Sequence, residues 1–156
     1  MADIDIETIK RLRELTGVGI TDAKQALVDS GGDFDKALAA MRAKGLTKAE
    51  KRAEREARAG SVGTYNHDGR IGVAVEVNCE TDFVAKTDEF KELIKDLCLQ
   101  ICSMNPKDVK ELMQQPFCKD AGTTVEDHVK HHIAKLGENI VIRRFSRLEL
   151  GEKADE

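Results

Sequence analysis

Aromatic residues are scarce in this chain. Its 156 residues include no tryptophan, one tyrosine and five phenylalanines. Phe83 is therefore conspicuous, because it falls in a connection, "NCETDFVAK" (78–86), beside two carboxylates. Long apolar runs are also missing. None approaches the roughly 20 residues that a helix needs to cross a bilayer, so no membrane span is expected. The first ten residues, "MADIDIETIK", are acidic and lack the basic start and apolar stretch of a secretory signal. The expected compartment is the cytoplasm. Positive charge is not in excess either. The formal net charge is -4, which disfavours direct nucleic-acid binding by the chain as a whole, since phosphate binding needs a concentrated positive field.

Several motifs of site chemistry are absent as well. No GxxxxGK[ST] loop and no GxGxxG is present, which argues against a nucleotide-binding enzyme. Nothing resembles a nucleophile elbow or a Cys-His signature. Glu80 and Asp82 are candidates for acid/base work or a divalent metal, but they stand beside an apolar pair with no second acidic cluster. No catalytic residue and no cofactor are expected. The four cysteines, Cys79, Cys98, Cys102 and Cys118, contain no CxxC pair. Cys98 and Cys102 are four apart in an apolar, helix-periodic segment, which reads as reduced core thiols. "HVKHH" (128–132) reads as surface histidines, and no metal site is expected.

What is present is a strong pattern. Hydrophobic residues make up 40% and charged residues 35%, a globular composition whose charged surface suits contact with other proteins. The length allows one ordinary domain or two small ones. Residues 1–45 read as three short helices. Ile6, Ile9, Leu12 and Leu15 recur at helical spacing, with Asp3 or Asp5 as a cap. Gly17 and Gly19 supply a left-handed corner. Thr21 and Asp22 open a second helix with Ala23, Ala26 and Leu27. Asp33 caps a third, with Phe34 expected at its centre and Gly45 as its stop.

Residues 46–60 read as a linker helix. Thr47 and Glu50 form a capping box, Ala49, Ala53 and Ala57 a thin apolar stripe, and Lys48, Arg52, Arg55 and Arg58 a basic side. A solvated connection explains this segment. A basic-helix RNA- or ribosome-associated protein is the alternative, weakened by the lack of aromatic stacking platforms.

Residues 61–150 switch from helical to alternating period. Ile71, Val73, Val75 and Val77 point one way, and Asp68-Gly69 signals a hairpin with the preceding strand. A helix over about 88–103 carries Phe90, Ile94, Leu97 and Ile101 on one face, with Thr87 as its cap. A short helix ends before Pro116. Another, starting near Thr124, carries Val125, Val129, Ile133 and Leu136 and stops at Gly137. "ENIVIRRFSRLEL" closes as a strand whose alternation breaks at Arg143-Arg144, as at a bulge. Residues 151–156 form a tail. The fold class is α+β: helices, then a small antiparallel sheet covered by helices on one face. The sheet's other face needs cover. Strict alternation puts Ile140 and Ile142 on one side and Val141 and Phe145 on the other. A second copy of the chain would supply that cover, provided Glu138 or Glu149 offsets Arg143, Arg144 and Arg147. For Phe83 itself, the residues alone leave open a core position and an exposed interface anchor.

"LRELTGVGITDAKQAL" (12–27) and "EVNCETDFVAK" (76–86) closely resemble the two characteristic motifs of elongation factor Ts, which exchanges guanine nucleotide on elongation factor Tu. "RIGVAVEVN" and "KLGENIVIRRF" also look like its core strand and closing segment. The resemblance implies a ubiquitin-associated-like three-helix N-terminal module (1–45), a linker helix (46–60) and an α+β core (61–150). It implies that Thr81, Asp82, Phe83 and Val84 reach the GTPase domain of elongation factor Tu, with Asp82 and Phe83 as the intruding pair. The aromatic would then displace the elements that hold the magnesium ion and β-phosphate. It implies docking of the N-terminal module through Leu12, Arg13, Thr16, Gly17 and Lys24. No covalent chemistry is needed, so the expected protein is not an enzyme. Longer members carry two core halves and this chain one, which points to a homodimer. Members usually insert a helical hairpin in the core, for which residues 104–116 are too short.

Overall fold

A computed structural model describes residues 4–153, with the side chains of 46–48 outside the description. The chain opens with three helices, α1 (Ile6–Thr16), α2 (Ile20–Asp29) and α3 (Phe34–Arg52). Asp5 caps α1 by accepting the Thr8 N–H at 2.6 Å; Asp3 lies outside the described residues. Asp33 caps α3 through the Lys36 N–H at 3.1 Å. Gly17 ends α1 in the left-handed region at φ 68°, but Gly19 is extended at φ -67° and opens α2 instead. Ile9, Leu12, Ala23, Ala26, Leu27, Ala37 and Met41 form a small core of their own. Ile6 and Leu15 are exposed, so the buried stripe of α1 is narrower than the helical spacing suggested. Phe34 is not central. Leu12 and Leu27 fill the middle, while Phe34 sits half-buried at the rim with the Arg11 guanidinium 4.8 Å above its ring.

The remaining elements are β1 (Ala59–His67), β2 (Ile71–Cys79), α4 (Asp82–Ala85), α5 (Asp88–Met104), α6 (Val109–Gln114), β3 (Pro116–Phe117), β4 (Asp120–Thr124), α7 (Val125–Leu136) and β5 (Val141–Glu149). Among the described residues no helix is long and apolar enough to cross a membrane. The expectation of a helix stop at Gly45 and a separate linker helix over 46–60 is corrected by α3, which runs through Gly45 to Arg52. The glycine has a packing reason. A Cβ there would lie 3.3 Å from the Ala134 Cβ on α7, so its absence lets the two helices close up. Thr47 and Glu50 fall mid-helix and start nothing. The far end of α3 belongs to the larger core, where Ala49 is buried and the Arg52 guanidinium donates to the Ile133 carbonyl at 3.2 Å. Ala57 is buried beyond the helix end, and Ala53 is exposed.

β1, β2 and β5 form an antiparallel sheet in that order. The β1–β2 turn has both Asp68 and Gly69 at positive φ, as a two-residue hairpin requires. Val73, Val75 and Val77 turn inward, and α5 covers them with Phe90, Leu93, Leu97 and Ile101. The break at Arg143 is a bulge: Glu76 pairs with Arg144 while Val77 pairs with Ile142. One inserted residue reverses the alternation beyond it. Phe145 therefore packs toward the same core as Ile142, and the expectation that it faces the opposite side is overturned. On the open face Val62 and Leu148 remain 64% and 76% exposed.

The β3–β4 hairpin was not expected from the sequence. It is held by polar side chains of α5. Gln100, fully buried, donates to Gln115 and to the Pro116 carbonyl and accepts the Cys118 N–H at 2.7 Å. Buried Asp96 binds Lys119 and, at 3.1 Å, His128 Nε2. The histidines are accordingly not free surface groups. His128 stacks on Phe117 with centroids 4.0 Å apart, and His131 and His132 are half-buried beside it.

These histidines make stability depend on pH. Burial, reinforced by the nearby cations and His132, pushes His131 from the usual 6.5 down to about 4, and burial lowers His132 as well. The unfolded chain protonates His131 near 6.5; the folded chain resists until about pH 4. The stabilisation is thus complete above pH 6.5 and is lost as pH falls from 6.5 toward 4. Urea denaturation at pH 7 and pH 5 should show the lower midpoint at pH 5, and His131→Gln should shrink the difference.

Candidate partner-binding site

The chain leaves β2 at Cys79, passes Glu80 and Thr81, and makes the single turn of α4. Thr81 is extended, and its hydroxyl caps the turn by accepting the Val84 N–H at 3.3 Å. At the other end the Thr87 hydroxyl donates to the Val84 carbonyl at 2.7 Å while capping α5. Val84 is 6% exposed and enters the main core; Phe83, one residue earlier, is 83% exposed. Adjacent side chains on a helical turn point in directions about 100° apart, and here Val84 lies on the buried side of the turn and Phe83 off it. That decides the question left open by the sequence: Phe83 is not a core residue.

Two distant segments brace this turn. Glu138 accepts the Thr81 N–H at 3.0 Å and the Thr81 hydroxyl at 2.8 Å. Glu80 accepts the Asn139 N–H at 2.9 Å and lies 3.7 Å from the Arg55 guanidinium. The Asn139 amide, itself buried, donates to the Arg55 carbonyl at 2.7 Å and the Ala53 carbonyl at 3.4 Å. Glu80 is thereby engaged in holding loops together rather than paired with Asp82 for acid/base work. Asp82 is exposed beside Phe83.

Of the residues expected to face a partner, Thr81, Asp82 and Phe83 are exposed together on one turn, while Val84 is the anchor beneath them. In the N-terminal helices Arg13, Gly17 and Lys24 are exposed. Leu12 and Thr16 are buried, and the Thr16 hydroxyl donates to the Leu12 carbonyl at 2.6 Å. Their part in the docking set is corrected to packing. Leu15, Ile20 and Val28 supply the exposed apolar surface there instead. Gly17 packs on Lys135, which pairs with Glu89 at 3.0 Å.

Cys79, Cys98 and Cys102 are buried and Cys118 is exposed. Burial pushes the Cys98 thiol up to about 11 and raises Cys79, so both stay protonated near neutrality. Among the described residues no group of three or more His, Cys, Asp or Glu is arranged to hold a metal ion. Sequence reasoning missed the bracing role of Glu138, Asn139 and Arg55. Glu138 lies 57 residues from Thr81, and no local pattern links them.

Comparison with known proteins bears on this turn. The family model described as elongation factor TS matches residues 80–155, which include both α4 and Glu138. Elongation factor Ts of Synechococcus sp. (strain JA-2-3B'a(2-13)) is 43% identical over 196 aligned positions, covering 96% of this chain and 76% of the relative. That of Thermoanaerobacter sp. (strain X514) is 42% identical, covering 96% of each. That of Thermodesulfovibrio yellowstonii is 36% identical, covering 98% of this chain and 99% of the relative. These alignments exceed the 156 residues of this chain, so the relatives carry residues within the matched span that it lacks. Similarity of this degree, sustained along nearly the whole of both chains, makes this protein a member of the elongation factor Ts family, a family of translation elongation factors.

Proposed function

We propose that this chain is a guanine nucleotide exchange factor that promotes GDP release from elongation factor Tu in the cytoplasm. The observation that carries the reading is Phe83, an aromatic side chain 83% exposed on a turn braced from both ends. Keeping a large apolar group in water is unfavourable and its removal from water is favourable, so the ring suits insertion into a partner. In the proposed complex Phe83 enters the partner's GTPase domain beside the nucleotide, with Asp82 alongside, and displaces the elements that hold the magnesium ion and β-phosphate. The N-terminal helices dock separately, through Arg13 and Lys24. The three helices act as a docking module on the α+β core. The coupling is reciprocal: a factor that weakens nucleotide binding is itself bound more weakly by the nucleotide-loaded partner. No bond is made or broken by this chain, so it is not an enzyme in the bond-making sense and needs no cofactor.

The basic-helix RNA reading loses support from the same segment that suggested it. Arg52 is spent on the Ile133 carbonyl, Arg55 on Glu80 and Arg58 on Glu56. Lys48 lies outside the described side chains.

We also propose a homodimer, formed by pairing of the open sheet face that carries Val62 and Leu148. Of the arginines expected to oppose such pairing, Arg144 pairs with Glu76 at 2.9 Å, Arg143 donates to the Asn78 side-chain oxygen at 3.0 Å, and Arg147 lies on the covered face, where it donates to the Cys102 carbonyl and pairs with Glu149 at 3.0 Å. Glu138 is used elsewhere, on Thr81.

Fluorescent GDP release from elongation factor Tu tests the function. Phe83→Ala should melt like the parent chain, because the ring is exposed, yet lose about 2 kcal/mol or more of rate acceleration. An unchanged rate in the folded variant would reject the wedge. Light scattering at micromolar concentration tests the assembly. Twice the 17.3 kDa chain mass is expected; one chain mass at every concentration rejects the dimer and leaves the exchange reading standing.

A further inference from the structure

We infer that Glu138 is a positioning residue for Phe83, acting through Thr81; the inference rests on the exchange reading proposed above. The geometry is a clasp between two loops that are distant in sequence. The Glu138 carboxylate takes both donors of residue 81, its N–H at 3.0 Å and its hydroxyl at 2.8 Å. In return the Glu80 carboxylate takes the N–H of Asn139 at 2.9 Å. Each loop thus offers an acidic side chain to the other's backbone. Gly137, left-handed at φ 77°, ends α7 and turns the chain so that Glu138 meets Thr81.

The hydroxyl of Thr81 carries one proton and two lone pairs. Because Glu138 takes the proton, a lone pair is left for the Val84 N–H, which approaches at 3.3 Å. Glu138 therefore sets the polarity of the cap as well as the place of residue 81. The helix that depends on this cap is a single turn of four residues, Asp82–Ala85. A helix so short has no stability of its own in water. Val84 ties it to the core at one point, and Thr81 fixes its rotation at another. The bonds lie at an exposed surface, where each contributes little to global stability. Their main consequence is the direction in which Phe83 projects.

Glu138→Ala removes both acceptor oxygens and leaves the N–H and hydroxyl of Thr81 without the clasp. Three readouts on the full-length chain decide the matter. The Thr81 amide should exchange its hydrogen about tenfold faster in the variant, with an unchanged thermal midpoint. Catalysed GDP release from elongation factor Tu should be about tenfold slower. In a Phe83→Ala background the Glu138→Ala change should have no further effect on release, because there is no longer a ring to position. Equal protection of the Thr81 amide would overturn the clasp. A further tenfold loss in the Phe83→Ala background would overturn the positioning role, since Glu138 would then act independently of the ring. If Phe83→Ala alone leaves catalysed release unchanged, the wedge is rejected and the positioning role with it; if the parent chain does not accelerate release at all, the exchange reading fails; in both cases amide exchange at Thr81 still judges the clasp by itself.

Discussion

Burial of Val84 is the constraint on which the functional reading depends. A side chain driven into the core on a one-turn helix sets the rotation of that turn, and in the rotation observed Phe83 faces out. The core that receives Val84 is built from Val75, Val77, Cys79 and Phe90, all almost or wholly inaccessible. Sheet and helix thus meet under the turn. The exposed ring is a consequence of that packing and is held against a rigid base. A ring on a flexible loop would lose more conformational freedom on binding, and part of the binding energy would go into ordering the loop.

The second feature is the polar network that braces the turn from outside it. Glu80, Glu138, Arg55 and Asn139 are joined in one network that also reaches the end of α3. The N-terminal helices and the core therefore share structure around the site. They are separated less cleanly than the composition of residues 46–60 suggests, since Ala49 packs in the larger core and Gly45 lies against α7. In the proposed exchange, shape and competing contacts do the work.

Much of this was legible in the sequence where the signal was local. Asp5, Asp33 and Thr87 cap helices as their types and positions imply. Asp68-Gly69 makes its hairpin, and Arg143 makes its bulge. Features set by distant residues were not legible. Gly45 reads as a helix stop because a glycine's own preference is visible, whereas the Ala134 that requires it is not. Phe145 was assigned to the wrong face because a bulge shifts parity only from its own position onward. The β3–β4 hairpin is specified by Gln100, far from it in sequence, and the histidines were misread for the same reason. At the site the motif identified Thr81 to Val84, but only the fold shows that Val84 is the anchor and Glu138 the brace.

The central claim is that Phe83 itself enters the partner beside its nucleotide. Photo-crosslinking from a benzophenone amino acid placed at position 83 tests this most directly. The account predicts one dominant crosslink, to the GTPase domain of elongation factor Tu near the nucleotide site, with a yield that falls as GDP is added. A crosslink to another domain, or a yield indifferent to GDP, would contradict it.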